Sequence, residues 1–187
     1  MILAYTELKT LVQDRIMRPV PDLHINASSV DVVLGDTVQE EIHDPALEDD
    51  ELTVVELGKR EKLGFAEHYI KDEPFLLYPG AFVLAHTREK FYLPLDISAE
   101  FRLKSSVARM GLGHVLAVWC DPGWNDSVLT LELHNVSQHH IISLRAGDRV
   151  GQMIFHRHEA VPKARSYAAV GAYNGDASAQ PTKGAKG

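Results

Sequence analysis

Three stretches of the chain combine residue types suited to an anionic, hydroxyl-bearing ligand. The densest runs Phe101-Arg102-Leu103-Lys104-Ser105-Ser106-Val107-Ala108-Arg109-Met110-Gly111. Lys104 and Arg109 supply cationic donors, while Ser105, Ser106 and the amides of a helix start complete a cradle for phosphate. The same residues also describe an ordinary capped helix with solvated basic side chains, and spacing alone does not separate the two. The second stretch, Ala117-Val118-Trp119-Cys120-Asp121-Pro122-Gly123-Trp124, ends an apolar run in a tight turn with one carboxylate and two large aromatics. Asp121 there suits a sugar hydroxyl or a water, although turn aspartates more often bond their own backbone. The third is Leu129-Thr130-Leu131-Glu132-Leu133-His134-Asn135. Strand alternation sends Leu129, Leu131 and Leu133 one way and Thr130, Glu132 and His134 the other. On an exposed sheet that second face is simply solvated. Enclosed in a barrel or an interface, it gives Glu132 a carboxyl whose pKa rises toward the range useful for proton transfer. Glu132 is the candidate acid and base.

Metal and thiol chemistry find less support. His139-His140, the pair His156 and His158, and His114 with His134 are the histidine groupings, but adjacent histidines chelate one ion poorly and a strand pair gives two ligands. No metal site is assigned. Cys120 is the single cysteine, which excludes an intrachain disulfide and any site of several thiolates; it reads as a buried hydrophobe rather than a nucleophile.

These residues must be positioned by a mainly β framework. From Thr6 to Met17, Leu8, Leu11, Val12 and Ile16 fall at helical spacing, with Thr6 as the expected cap and Pro19 and Pro21 as the stop. Ile25 to Leu34 alternates as a strand and Gly35-Asp36 reads as a turn. Residues 36 to 73 are charged, with short apolar interruptions at Leu52 to Val55 and Leu63 to Phe65 expected as edge strands and exposed loops. Beyond Pro74, apolar runs at Phe75 to Leu77, Ala81 to Ala85, Val115 to Val118, Val128 to Leu133, Ile141 to Leu144 and Val150 to Phe155 alternate with turn residues. That pattern predicts a distorted β-barrel or jelly roll, with an N-terminal helix and a short helix near Ser105 to Met110. A single domain is expected over residues 1–176, and the small, polar residues 177–187 are expected as a mobile tail.

The chain has 187 residues, 45% of them hydrophobic, enough for a core but with no run long enough to span a membrane. A formal net charge of −7 argues against broad binding to duplex nucleic acid, yet a few focused cations can still hold a small polyanion. Met1 to Glu7 lacks a basic segment followed by an apolar run, so cytoplasm is the expected location.

The ordered set of segments resembles the dCTP deaminase family of the dCTP deaminase and dUTPase superfamily. Ile25-Asn26-Ala27-Ser28-Ser29-Val30-Asp31-Val32-Val33-Leu34-Gly35 is similar to that family's N-terminal signature, and Tyr78-Pro79-Gly80-Ala81-Phe82-Val83-Leu84-Ala85 to its next strand. The Lys104 to Arg109 segment, the Asp121 turn, the Glu132 strand and Gly147-Asp148-Arg149-Val150-Gly151-Gln152-Met153-Ile154-Phe155 follow in family order, so the resemblance runs from the first helix to about Gly175. It implies a dUTPase-like subunit in a homotrimer with active sites between subunits. It also implies a magnesium-bound triphosphate, and hydrolytic deamination of dCTP to dUTP and ammonia without zinc. In that scheme Glu132 moves the protons and Ser105 positions water or stabilises charge. Lys104, Ser106, Arg109 and Tyr167 bind phosphates, Asp121 meets the deoxyribose, and Thr130, Leu131 and Glu132 read the base.

The chain also departs from the family pattern. Lys104 stands where arginine is usual, which loses the bidentate fork. The segment from Gly111 to Asp121 is one residue shorter, and Ala172 and Asp176 replace a usual lysine and glutamine, with Lys183 or Lys186 as substitutes. A dUTPase, or an enzyme that deaminates dCTP and then cleaves dUTP to dUMP and pyrophosphate, is the near alternative, since both Asp121 and Glu132 are present. A nucleotide-binding regulator without turnover is the third reading.

Overall fold

A computed structural model describes residues 1–43, 52–59 and 63–183. The N-terminal helix α1 spans Tyr5–Gln13 and buries Leu8 and Leu11. It is shorter than its periodicity predicts. Thr6 lies inside it rather than at its cap, which is Ala4, and the chain leaves the helix through Arg15 at φ 61°. The reason is tertiary: Met17–Arg18 forms β1 against a later strand, and Met17 is wholly buried.

The remaining strands are β2 (Val30–Glu41), β3 (Phe65–Tyr69), β4 (Phe75–Leu77), β5 (Phe82–Tyr92), β6 (Ile97–Leu103), β7 (Leu112–His114), β8 (Trp119–Cys120), β9 (Asn125–Asn135), β10 (Ile142–Leu144) and β11 (Arg149–Arg157). Helix α2 is Ser105–Ala108 and α3 is Tyr167–Val170. The main sheet is ordered β7-β9-β5-β2-β11-β6-β8, with β1 on β5 and β3 on β2, while β10 pairs with β4 separately. The two end strands, β7 and β8, are consecutive in the chain. Residues 115–118 alone join them, so the ends lie no more than roughly 18 Å apart and the sheet has to curl into a distorted barrel. Phe91, Phe101, Phe155, Leu131 and Leu133 fill its interior, all at most 1% exposed.

Two expected elements change character. Gly35-Asp36 is not a turn: it continues β2, whose β-branched residues Val30, Val32, Val33, Thr37 and Val38 favour extension. Glycine is required there because a Cβ would stand 1.9 Å from His86 Cε1 on the neighbouring strand. Val115 to Val118 is not a strand of its own. Leu116 adopts φ 61°, and the segment divides between both barrel edges, with Val115 N–H donating to Glu132 O at 3.1 Å and Phe101 N–H to Val118 O at 3.0 Å. Leu52 to Val55 is not in a strand; residues 44–51 and 60–62 of the charged stretch lie outside the described residues.

Candidate functional site

Strand β9 pairs with β5 through Leu84 opposite Glu132 and His86 opposite Thr130. Its alternation follows the sequence: Leu129, Leu131 and Leu133 are buried, while Thr130, Glu132 and His134 are half-buried on the other face. That face opens into a cleft of about 430 Å³ lined by Asp121, Thr130, Glu132 and Tyr167 together. Leu131 is 0% exposed in the core and does not line the cleft, so the structure does not bring it to the expected base-reading position.

Asp121 follows β8 and starts a turn with Trp124 N–H donating to Asp121 O at 3.2 Å. Pro122 fixes one central φ, and Gly123 at φ 83° supplies the other, a left-handed value that side chains disfavour. The carboxylate is oriented by Trp119 Nε1–H, which donates to Asp121 Oδ1 at 3.0 Å. Tyr167 is brought to the same turn by its N–H, which donates to Pro122 O at 2.9 Å. Its hydroxyl accepts Tyr173 N–H at 3.2 Å, and burial pushes the phenol upward.

Burial likewise pushes the Glu132 carboxyl above its usual range, opposed by its own backbone N–H. A carboxyl so placed holds a proton at higher pH than a solvated one and can give it back, as acid and base chemistry requires. Cys120, against the same cleft, is 4% exposed. Burial first and Asp121 second push its thiol far up, which leaves it an unreactive thiol.

The phosphate segment sits elsewhere. Ser105, Ser106 and Arg109 are exposed on and beside α2 and do not line this cleft. Lys104 differs from expectation: its ammonium donates to Asp31 Oδ1 at 2.7 Å. Asp31 is 1% exposed, so a buried carboxylate holds this cation rather than leaving it for a ligand. Asn26 Nδ2 donates to the same oxygen at 2.8 Å.

Segment 177–183 makes contacts that a free tail would not. Ala179 is 0% exposed, its carbonyl accepts from Gln39 Nε2 at 3.1 Å, and Gln180 N–H donates to Thr130 Oγ1 at 3.1 Å. Asp176, Gln180 and Thr182 line the cleft. Lys183 Nζ donates to Asp176 at 2.8 and 2.9 Å; Lys186 lies outside the described residues. Gln180 and Thr182 escaped the sequence reading, and Trp119 entered it only as an aromatic beside the Asp121 turn with no role assigned. The partner of Gln180 is 50 residues away in the chain, and only the departures at Ala172 and Asp176 marked the region.

Among the described residues no group of three or more His, Cys, Asp or Glu is arranged to hold a metal ion. No helix among them is long and apolar enough to cross a membrane.

Comparison with known proteins identifies the family of the chain. The family model described as dCTP deaminase-like matches residues 2–158. A Nanoarchaeum equitans protein named "dCTP deaminase, dUMP-forming" is 36% identical over 149 residues, a match covering 73% of this chain and 75% of that protein. A Beutenbergia cavernae protein of the same name is 39% identical over 147 residues, covering 74% of this chain and 69% of that one. These names specify dUMP, where the sequence reading put dUTP first. Among solved structures, the 2'-deoxycytidine 5'-triphosphate deaminase from Agrobacterium tumefaciens aligns with a TM-score of 0.63 at 19% identity. That match covers 86% of this chain and 49% of the other, so the chain spans about half its length, and the likeness is one of fold.

Proposed function

The chain belongs to the dCTP deaminase-like family, and on that premise we propose that it deaminates dCTP by water and carries the product on to dUMP. The observation that carries this reading is the partly buried Glu132 carboxyl, raised by burial and set in one cleft with Asp121 and Tyr167.

Hydrolytic deamination needs a base to take a proton from the attacking water and an acid to protonate the ring and the departing amine. One carboxyl with a raised pKa serves both in turn. Glu132 takes the water's proton as oxygen bonds to C4 of cytosine. It then returns protons so that the C4–N bond breaks and ammonia leaves, giving dUTP. A second water attacks the α-phosphorus, the bond to the β-phosphate oxygen breaks, and dUMP and pyrophosphate leave. Asp121 is the carboxylate available to hold the sugar and support that second step. The relatives' dUMP-forming names and the presence of Asp121 beside Glu132 support the two-step product over dUTP. Magnesium enters with the triphosphate, as part of the substrate.

Among the described residues one chain offers no cation-lined phosphate cradle in this cleft, since Ser105, Ser106 and Arg109 are exposed elsewhere. A second copy can supply them, which is the chemical basis for a homotrimer with shared sites. Light scattering at about three times the chain mass supports that assembly, and a monomer mass overturns it.

Purified protein incubated with dCTP and magnesium tests the activity. The expected products are dUMP, ammonia and pyrophosphate in equal amounts. Ammonia with dUTP accumulating would restore the single-step deaminase. Pyrophosphate from dUTP without ammonia from dCTP would make the protein a dUTPase, and binding without either product would make it a regulator.

A further inference from the structure

The surroundings of Glu132 hold a second buried ring that the proposed chemistry leaves unused. His114, on β7, has a side chain only 3% exposed, and its ring tilts against Phe101 with centroids 4.9 Å apart. Its two nitrogens have unlike neighbours. Nδ1 accepts the Leu116 backbone N–H at 3.0 Å. A ring nitrogen that accepts carries no proton, so the neutral imidazole keeps its single proton on Nε2. That nitrogen faces Glu132 Oε2 at 3.3 Å. Both atoms are buried and neither has a hydrogen-bond partner, the angle between them being too bent for a formed bond at this distance, so each is the nearest group that could satisfy the other.

The tautomer is secured by backbone geometry. Leu116 sits at φ 61°, a left-handed value uncommon for a side chain of that size, and that conformation accompanies the return of its N–H to His114. Burial first, and His134 second, push the His114 imidazole down to about 4, so the ring is neutral at ordinary pH. The ionisable groups near it are Glu132 and His134 on β9. Helix α2, which packs on β7, carries the exposed Arg109 beyond its end, and the Lys104 ammonium before it is held by Asp31.

We propose that His114 is a positioning residue for Glu132: its Nε2–H, fixed by the Leu116 amide, donates to Oε2 and leaves Oε1 as the oxygen that exchanges protons. This rests on the reading of Glu132 as the acid and base. The contact survives both protonation states, because Oε2 accepts whether the group is a carboxylate or an acid protonated on Oε1. A proton on Oε2 would instead oppose Nε2–H. The proton is therefore confined to one oxygen without adding net charge beside it, and a donor at Oε2 holds the carboxyl below where burial alone would take it.

Two readouts test the inference separately from activity. Long-range proton–nitrogen NMR of the full chain labelled with 15N-histidine is expected to show His114 protonated at Nε2 and bare at Nδ1 between pH 6 and 8. A proton on Nδ1, or an imidazolium, overturns the proposal. His114→Phe keeps a ring against Phe101 and removes the donor. Carboxyl 13C NMR is expected to show the Glu132 pKa rising by about one unit in this variant, and an unchanged value overturns the proposal even if no nucleotide is turned over.

With dCTP as substrate, His114→Phe is expected to lower kcat roughly tenfold or more with little change in KM. The acid limb of its pH profile moves upward, and His114→Gln, whose amide can donate, restores part of both. Wild-type kcat and an unshifted profile in a folded His114→Phe protein would overturn the proposal. If His114→Phe does not fold, the wild-type tautomer and the His114→Gln profile decide the outcome. Absence of deamination by the wild-type protein counts against the proposed function, while the tautomer and the Glu132 titration still decide the role of His114.

Discussion

Glu89 is a carboxyl whose burial should be visible as pH-dependent stability. Its side chain is 0% exposed, Val33 N–H donates to Oε2 at 3.1 Å, and Oε1 has no hydrogen-bond partner. Burial pushes its pKa from 4.5 to about 7, against the smaller effect of the Val33 hydrogen bond. The folded state therefore holds a proton that the unfolded chain releases earlier. Its stabilising contribution is complete below pH 4.5 and is lost as pH rises through 7. At about 1.4 kcal/mol per pH unit, the loss between pH 5 and pH 8 is roughly 2.5 kcal/mol, a sizeable part of the stability of a domain. Glu89→Gln keeps the shape and an acceptor for Val33 but cannot ionise. Urea denaturation at fixed protein concentration should show wild type weakening relative to this variant by that amount from pH 5 to pH 8. Parallel curves for the two proteins would refute the reasoning.

Lys104→Met should destabilise the chain by about 2–3 kcal/mol at neutral pH, because it strands the buried Asp31 carboxylate with Asn26 at 2.8 Å and Arg149 at 3.5 Å. Denaturant titration checks it, and an unchanged midpoint would mean that this ion pair adds nothing. Gly35→Ala should cost roughly 2 kcal/mol or more, since the His86 ring that a Cβ would strike is tied by Thr87 O at 2.9 Å and Thr37 Oγ1 at 3.1 Å. A thermal melt lowered by about 5 °C is the expected reading.

What the sequence made legible was local. The period-two alternation of Leu129 to His134 appears in the structure as a buried face and a cleft face, because β9 lies between two partners and one side of it packs inward. Asp121-Pro122-Gly123-Trp124 carries its own turn chemistry in its residue types, and Ser105 begins a short helix as its spacing suggests. Position-dependent effects between distant segments were not legible. Gly35 looks like a turn residue until His86 is found beneath it. Lys104 looks like a free cation until Asp31, 73 residues earlier, is found to hold it. Residues 177 to 183 have tail composition, yet the Gln180 N–H bond to the Thr130 hydroxyl on β9 and a wholly buried Ala179 hold them against the cleft. His114 was weighed as a metal ligand with His134; its contact with Glu132 depends on the left-handed Leu116, which no local pattern signals.

The central claim is that the cleft built around Glu132 is where dCTP loses its amine. The most direct measurement is ammonia release from dCTP by Glu132→Gln beside the wild-type protein, with calorimetry of dCTP binding to both. An acid and base group is typically worth about 10²–10⁴ in rate, so ammonia release should fall by at least that lower factor while binding and the thermal melt hold near wild type. Ammonia release at the wild-type rate from the folded variant would contradict the account.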